Sequence, residues 1–333
     1  MRYRWIDHAK TLAILLVVLG HVWRGLSDSG LMTDARLFAA VDTAIYYFHM
    51  PFFFMLSGFL FPKALQKPWT AFVQRQAETI VWPYVLWSLI LMGTKAALGG
   101  SVNHPVSVTD IVSIPWEPFS IFWFLYALFV IQIVAKAVIG HGSRKRDILL
   151  VICAAAAFAL HFLGLKDFGA VISGSSLFFL YFAMGYLIRK YRHAEALQAF
   201  GNYASLSAVL WVCTAVGLLW AGVSYESFAG RLAAILFCLC GISISVKTAH
   251  TRLGRSAVIP FVSSATLAIY CSHLIFTAGT RVLLTQLGVS SLWLHVLGGT
   301  FAGMAFPLLG YFIALRLGIA RWAGLGRGRF TGD

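Results

Sequence analysis

The sequence predicts an all-α fold: a polytopic membrane bundle of about ten transmembrane helices with both termini cytoplasmic. Three observations lead there. Hydrophobic residues fill 59% of the 333 positions and charged residues 11%, against about 25% charged in a soluble chain. Mean hydropathy is +0.80, and apolar runs of roughly 17–25 residues recur along the whole length. The loops between those runs alternate between rich and poor in Lys and Arg.

The runs place spans at about 6–24, 43–62, 79–98, 119–138, 147–164, 170–189, 204–222, 230–246, 263–283 and 292–316. They are too long and too unalternating for barrel strands. The longest connection covers residues 99–118, so residues 1–333 are read as one membrane domain with no inserted soluble domain. With a cytoplasmic N-terminus, the cytoplasmic side collects twenty of the 26 basic residues. The outer side keeps Arg24, Arg36, Lys95, Lys166, Arg231 and Arg281. That asymmetry is the positive-inside pattern, and it expects the inner membrane of a bacterial-type cell. It also accounts for the net charge of +14 without a nucleic-acid partner. The five cysteines all lie in apolar runs, which supports neither a disulfide framework nor a metal site. The N-terminus begins like a signal peptide, but Asp7 interrupts it and no small-x-small site follows, so a retained span is expected.

Span one, WIDHAKTLAILLVVLGHVWR, carries Asp7, Lys10 and His21 in an otherwise apolar run. At about 100° per residue, the eleven steps from Lys10 to His21 leave about 20° of net rotation and about 16 Å of rise. Lys10, Ile14, Val17 and His21 therefore form one stripe, and Asp7 lies near enough to pair with Lys10. Ionisable groups at membrane depth normally face a protein interior or wet cavity. A neutral imidazole can take a proton from a hydroxyl and pass it to a leaving group. Lys10 can hold an anion such as the phosphates of a nucleotide-like donor. The same residues also suit two membrane boundaries, with Lys10 and Asp7 snorkelling at one and His21 marking the other.

Span two holds FHMPFFFMLSGFLF. His49 is a second titratable group. Pro51 removes a donor, and Ser57-Gly58 permits close backbone approach. A kinked packing helix, with Ser57 bonded to its own backbone, explains these as well as a catalytic contact does. Arg75, on the next cytoplasmic stretch, is a donor-phosphate candidate or a positive-inside residue. Trp116, Glu117 and Trp123 precede or open span four. They fit either an aromatic belt or an acceptor site in which indole faces meet sugar CH groups and Glu117 binds a hydroxyl. Thr266, Tyr270, His273 and Thr277 form a polar stripe on span nine that should face the bundle interior, as helix glue or as lining of the cavity of His21. No metalloprotease, phosphate-loop, dinucleotide or serine-hydrolase motif is present.

The segments IDHAKTLAILLVVLGH, FHMPFFFMLSGFLF, WFLYALF and AIYCSHLIF, in that order, resemble the acyltransferase-3 family of integral membrane acyltransferases, in particular its fucose-4-O-acetylase-like branch. The resemblance runs over nearly the whole chain. It implies ten core helices, acyl-CoA (usually acetyl-CoA) as cytoplasmic co-substrate with no bound cofactor, and an acceptor that is often a sugar of an envelope glycan, free or lipid-linked. By that likeness His21 is catalytic and Lys10, where many members have Arg, is a donor contact. Ser57, Gly58 and Phe59 match the family's S-G-F; Trp123 and Phe124 match its W-F. Many members add a further helix and a soluble outer domain, which the sequence to Asp333 is not expected to form. The expected reaction is O-acyl transfer, with Asp7, Ser57, His49, His273 and Tyr270 supporting His21. The rival expectation is a proton-coupled transporter or flippase using the same ionisable residues. The lack of a two-fold repeat argues against it.

Overall fold

The computed structural model describes residues 3–99, 107–140, 143–191 and 198–326. Arg2, Arg192, Arg327, Arg329, His104, His141 and His193 lie outside them. Among the described residues the chain is helical and carries no strand.

The first helix, α1 (Arg4–Asp28), is unbroken, so Lys10 and His21 do share one stripe about 16 Å apart. α2 (Ala35–Tyr46) is opened by Asp34, whose carboxylate accepts from the backbone N–H groups of Arg36 and Leu37 at 2.9 and 3.0 Å. The chain turns at Tyr47–Phe48 and continues as α3 (His49–Leu60). Pro51 sits in the first turn of α3, where its missing N–H breaks no ladder bond. The second apolar segment therefore spans Ala35–Leu60, beginning earlier than the expected 43. Asp34, Arg36 and Asp42 dilute the hydropathy of α2 and mask its start.

α4 (Trp69–Gln76) passes through a π-helical turn, Ala77–Val81, into α5 (Trp82–Leu98). Pro83 cannot donate to the turn before it, and the widened turn absorbs that loss. Span three thus starts at Trp69 rather than 79. Next come α6 (Trp123–Ile139), α7 (Arg144–Phe162), α8 (Ala170–Tyr191), α9 (Ala204–Trp220), α10 (Phe228–Thr248), α11 (Thr266–Gln286) and α12 (Leu292–Arg316). Nine segments among the described residues are long and apolar enough to cross a membrane. α7 is a further helix of 19 residues, but Arg144, Lys145, Arg146 and Asp147 occupy its first turn.

α1 is central. It packs on α2, α3, α10, α11 and α12, and on a short helix, Val258–Ser264, that precedes α11. The tightest crossing is α3 on α8. A Cβ at Gly58 would stand 1.9 Å from the Phe182 carbonyl oxygen, and one at Gly185 would stand 1.9 Å from that of Met55. The two backbones touch where each helix offers a glycine. Phe54 of α3 stacks on Phe178 of α8 beside that seam, with centroids 4.6 Å apart.

Candidate active site

A cavity of about 320 Å³ opens at the end of the bundle where α1 finishes. Its walls come from the last two turns of α1 (His21–Asp28), the end of α5 (Leu91, Thr94, Lys95), the entry to α6 (Ser120, Ile121, Trp123), α11 (Leu274, Ile275, Thr277, Ala278, Arg281) and His295 of α12. Five separate chain segments meet around His21.

What distinguishes His21 is its lack of commitments. Apart from His250, which is exposed, the other imidazoles of the described residues are engaged. A His8 ring nitrogen lies 3.0 Å from the Gly254 carbonyl, His49 2.8 Å from that of Ile45, and His295 2.9 Å from that of Val289. His161 meets the Ser176 hydroxyl at 3.2 Å. His273 Nδ1 lies 3.0 and 2.8 Å from the carbonyls of Ile269 and Tyr270. Among the described residues neither ring nitrogen of His21 makes a hydrogen bond, and its ring lines the cavity. An imidazole with free nitrogens facing open space is placed to exchange a proton with whatever enters.

His273 backs that ring, with centroids 5.1 Å apart. Carbonyl oxygens only accept, so His273 Nδ1 carries the hydrogen and Nε2 carries a lone pair. That Nε2 is sealed from solvent and has no partner among the described residues. The Tyr270 hydroxyl donates to the Ile121 carbonyl and so ties α11 to the cavity wall at α6. His273 meets Tyr270 through the Tyr270 carbonyl, not its hydroxyl.

One turn beyond His21, Arg24 clamps α1 to α2. It donates to both carboxylate oxygens of Asp42 at 2.6 and 2.9 Å and to the Tyr225 hydroxyl at 2.9 Å. Its guanidinium stands 3.4 Å from the Tyr46 ring centroid. Such a bidentate pair fixes geometry as well as charge. Tyr225 lies in the loop between α9 and α10. Burial pushes its hydroxyl above the ordinary tyrosine pKa, so it stays protonated and donates to Glu226 at 3.1 Å. Arg281 donates to the Gly25 carbonyl at 2.5 Å, which joins α11 to α1 across the cavity floor. Ser120 has φ of 53°, and it is the described non-glycine residue in the left-handed region. That conformation costs about 1–2 kcal/mol in an L-residue and gathers at functional sites.

The other sequence-derived candidates fall in different places. Trp123 lines the cavity, and its far side meets Phe178 at 5.5 Å. Lys10 is on the α1 stripe but outside the cavity wall. Asp7 is buried and accepts from the Ser263 hydroxyl at 2.7 Å, an engagement the sequence did not suggest. His49 is buried, edge-on to Tyr46 at 4.5 Å, close behind α1 but not in the lining. The Ser57 hydroxyl donates to the Phe53 carbonyl of its own helix at 2.8 Å and does not line the cavity. Trp116, Glu117 and Arg75 are exposed and outside the cavity lining. Sequence reasoning passed over Arg24, Asp42, Lys95, Ser120, Arg281 and His295. An Asp and an Arg in adjacent apolar segments were a usable signal for the clamp; nothing in the sequence singled out Ser120.

A family model described as an acyltransferase domain (acyltransferase-3) matches residues 3–312. The Nodulation protein NolL of Mesorhizobium japonicum is 31% identical over 156 residues, 46% of this chain and 40% of that protein. The NolL of Sinorhizobium fredii is 29% identical over 154 residues, 45% of this chain and 39% of that protein. The matched region thus spans about two-fifths of these relatives. No solved structure matches. With a family model that runs nearly end to end over a multi-pass helical bundle, the chain belongs to the acyltransferase-3 family of membrane proteins.

Proposed function

We propose that this protein transfers an acyl group, acetyl in the first instance, from acyl-CoA to a hydroxyl of an envelope glycan or its lipid-linked sugar precursor. The observation that carries the reading is the uncommitted imidazole of His21 on the wall of a cavity large enough for a sugar ring. The loop charges support a cavity facing the outer side of an inner membrane, with Lys10 toward the cytoplasmic side, where CoA is. The donor phosphates bind near Lys10, with exposed Arg75 as a second contact, and the pantetheine arm carries the thioester along α1 toward His21. Ile14 and Val17 lie buried between the two ends, so donor entry requires an opening beside them.

At the cavity His21 takes the proton of the acceptor hydroxyl as its oxygen attacks the thioester carbonyl. The carbon–sulfur bond breaks, and the proton passes to the departing CoA thiolate. General base catalysis of this kind contributes about 10²–10⁴-fold, and holding both reactants in one cavity supplies much of the rest. Trp123 offers an aromatic face to the sugar. His273 and the Arg24–Asp42 clamp hold the His21 turn in place.

Purified protein in nanodiscs, given labelled acetyl-CoA and a sugar acceptor, should release CoA and form an ester. His21→Ala should lose both while its thermal unfolding stays intact. Wild-type transfer by His21→Ala would remove His21 from the chemistry. Acceptor movement across vesicles with no CoA release would replace the enzyme reading with transport.

A further inference from the structure

The charges around the cavity are unequal. Arg24, Lys95 and Arg281 line it, with Asp28 as the one lining carboxylate among the described residues. The side chain of Arg24 is engaged by Asp42 and Tyr225, and that of Arg281 by the Gly25 carbonyl. Lys95 differs. It is partly buried near the end of α5, where its ammonium stands 5.1 Å from the Phe119 ring centroid; among the described residues it forms no ion pair at contact distance, and the Asp110 carboxylate attracts it only from further off. A partly desolvated cation beside Leu91, Ile121 and Trp123, with Thr94 and Ser120 on the same wall, attracts an anion more strongly than a fully solvated one does.

We propose that the acceptor carries a phosphate ester beside the hydroxyl that is acylated, and that Lys95 binds this phosphate while Trp123 meets the sugar face and His21 the reacting hydroxyl. This rests on the acyl-transfer reading above and narrows its substrate class to glycosyl phosphates. Lys95 lies at the end of a membrane-crossing segment, Trp69–Ala97. A phosphate there would sit at headgroup depth, which suits a lipid-linked glycosyl phosphate and also admits a soluble one. A lysine serves this role as a point charge, tolerant of either ester.

The test compares a glycosyl 1-phosphate, the same glycosyl phosphate on a polyprenyl tail, and the neutral methyl glycoside, each with acetyl-CoA. The ratio of kcat/KM for a phosphorylated acceptor over the neutral one should fall about tenfold in Lys95→Met, the loss of one charge-assisted contact. It should be kept in Lys95→Arg. The two phosphorylated acceptors tell the lipid-linked from the soluble source. An unchanged ratio, or a Lys95→Met effect confined to the KM for acetyl-CoA, overturns the proposal. A readout independent of turnover is calorimetric titration of glycosyl 1-phosphate into His21→Ala protein in nanodiscs, with and without Lys95→Met. Absence of transfer by the wild type together with Lys95-dependent binding would condemn the acyl-transfer reading and keep the phosphate site. Transfer without Lys95-dependent binding or selectivity would do the reverse.

Discussion

The rings of His21 and His273 lie 5.1 Å apart, one open to a cavity and bonded to nothing among the described residues, the other sealed and fixed by two carbonyls. The fixed ring sets where the open one can go. His273→Phe keeps the bulk but removes the anchored Nδ1–H and the buried lone pair. It should lower kcat roughly ten- to hundredfold, the cost of a small misplacement of a reacting group. The KM for acyl-CoA should move little, because Lys10 is distant. Steady-state kinetics beside a thermal unfolding curve separates this from misfolding; an unaltered kcat would reduce His273 to filler.

The Arg24–Asp42 clamp should be read as a pair. Asp42→Asn leaves a partly buried guanidinium without its counter-charge, and breaking buried pairs costs about 3–5 kcal/mol. Arg24 is 34% exposed on its side chain, so a loss nearer ~2 kcal/mol is expected after solvent screening. Arg24→Lys should not restore it, because an ammonium cannot span two carboxylate oxygens as the fork does. Thermal unfolding of both single variants and the double variant gives the coupling; additive losses would mean the two side chains act independently.

Ser120 offers a test of opposite sign. Ser120→Gly relieves the left-handed backbone and should raise stability by about 1 kcal/mol. Ser120→Ala keeps the strain and removes the hydroxyl. Should turnover fall in Ser120→Ala but not in Ser120→Gly, the hydroxyl would be ruled out as the cause, since both variants lack it. A turnover loss in both, with stability gained in the glycine variant alone, is the expected pattern for a hydroxyl used in the cavity.

Neighbours Ser57 and Gly58 should behave very differently. Ser57 bonds within its own helix, so Ser57→Ala should shift stability by no more than about 1 kcal/mol and keep activity. Gly58→Ala drives a methyl into the Phe182 carbonyl. Overpacking of this kind costs about 1–3 kcal/mol or more, visible as a lower unfolding temperature. A tolerated Gly58→Ala would contradict the close crossing.

The bundle and the Lys10–His21 stripe were readable from the sequence because both depend on one local periodicity, that of a single unbroken helix. The start of α2 was not, since exposed Arg36 lowers its hydropathy and so does Asp42, which serves a tertiary contact. Asp42 meets Arg24 only after the chain reverses between α1 and α2. Lys95, Ser120 and Arg281 reach His21 from three other segments, and no pattern along the chain relates them. Which histidine is free also lay beyond the sequence: His21 and His273 differ in bonding, and bonding follows from where neighbouring carbonyls fall.

The glycine seam between α3 and α8 has a mechanical meaning. Two helices that meet backbone to backbone have no side-chain cushion to compress, so neither can slide or rock without a clash of main-chain atoms. The cavity is walled by α1, α5, α6, α11 and α12, none of which belongs to that seam. Where α12 meets α1 and α11, at Gly299 and Gly303, the nearest neighbours are the side chains of Val22, Val18 and Thr277, which can repack where two touching backbones cannot.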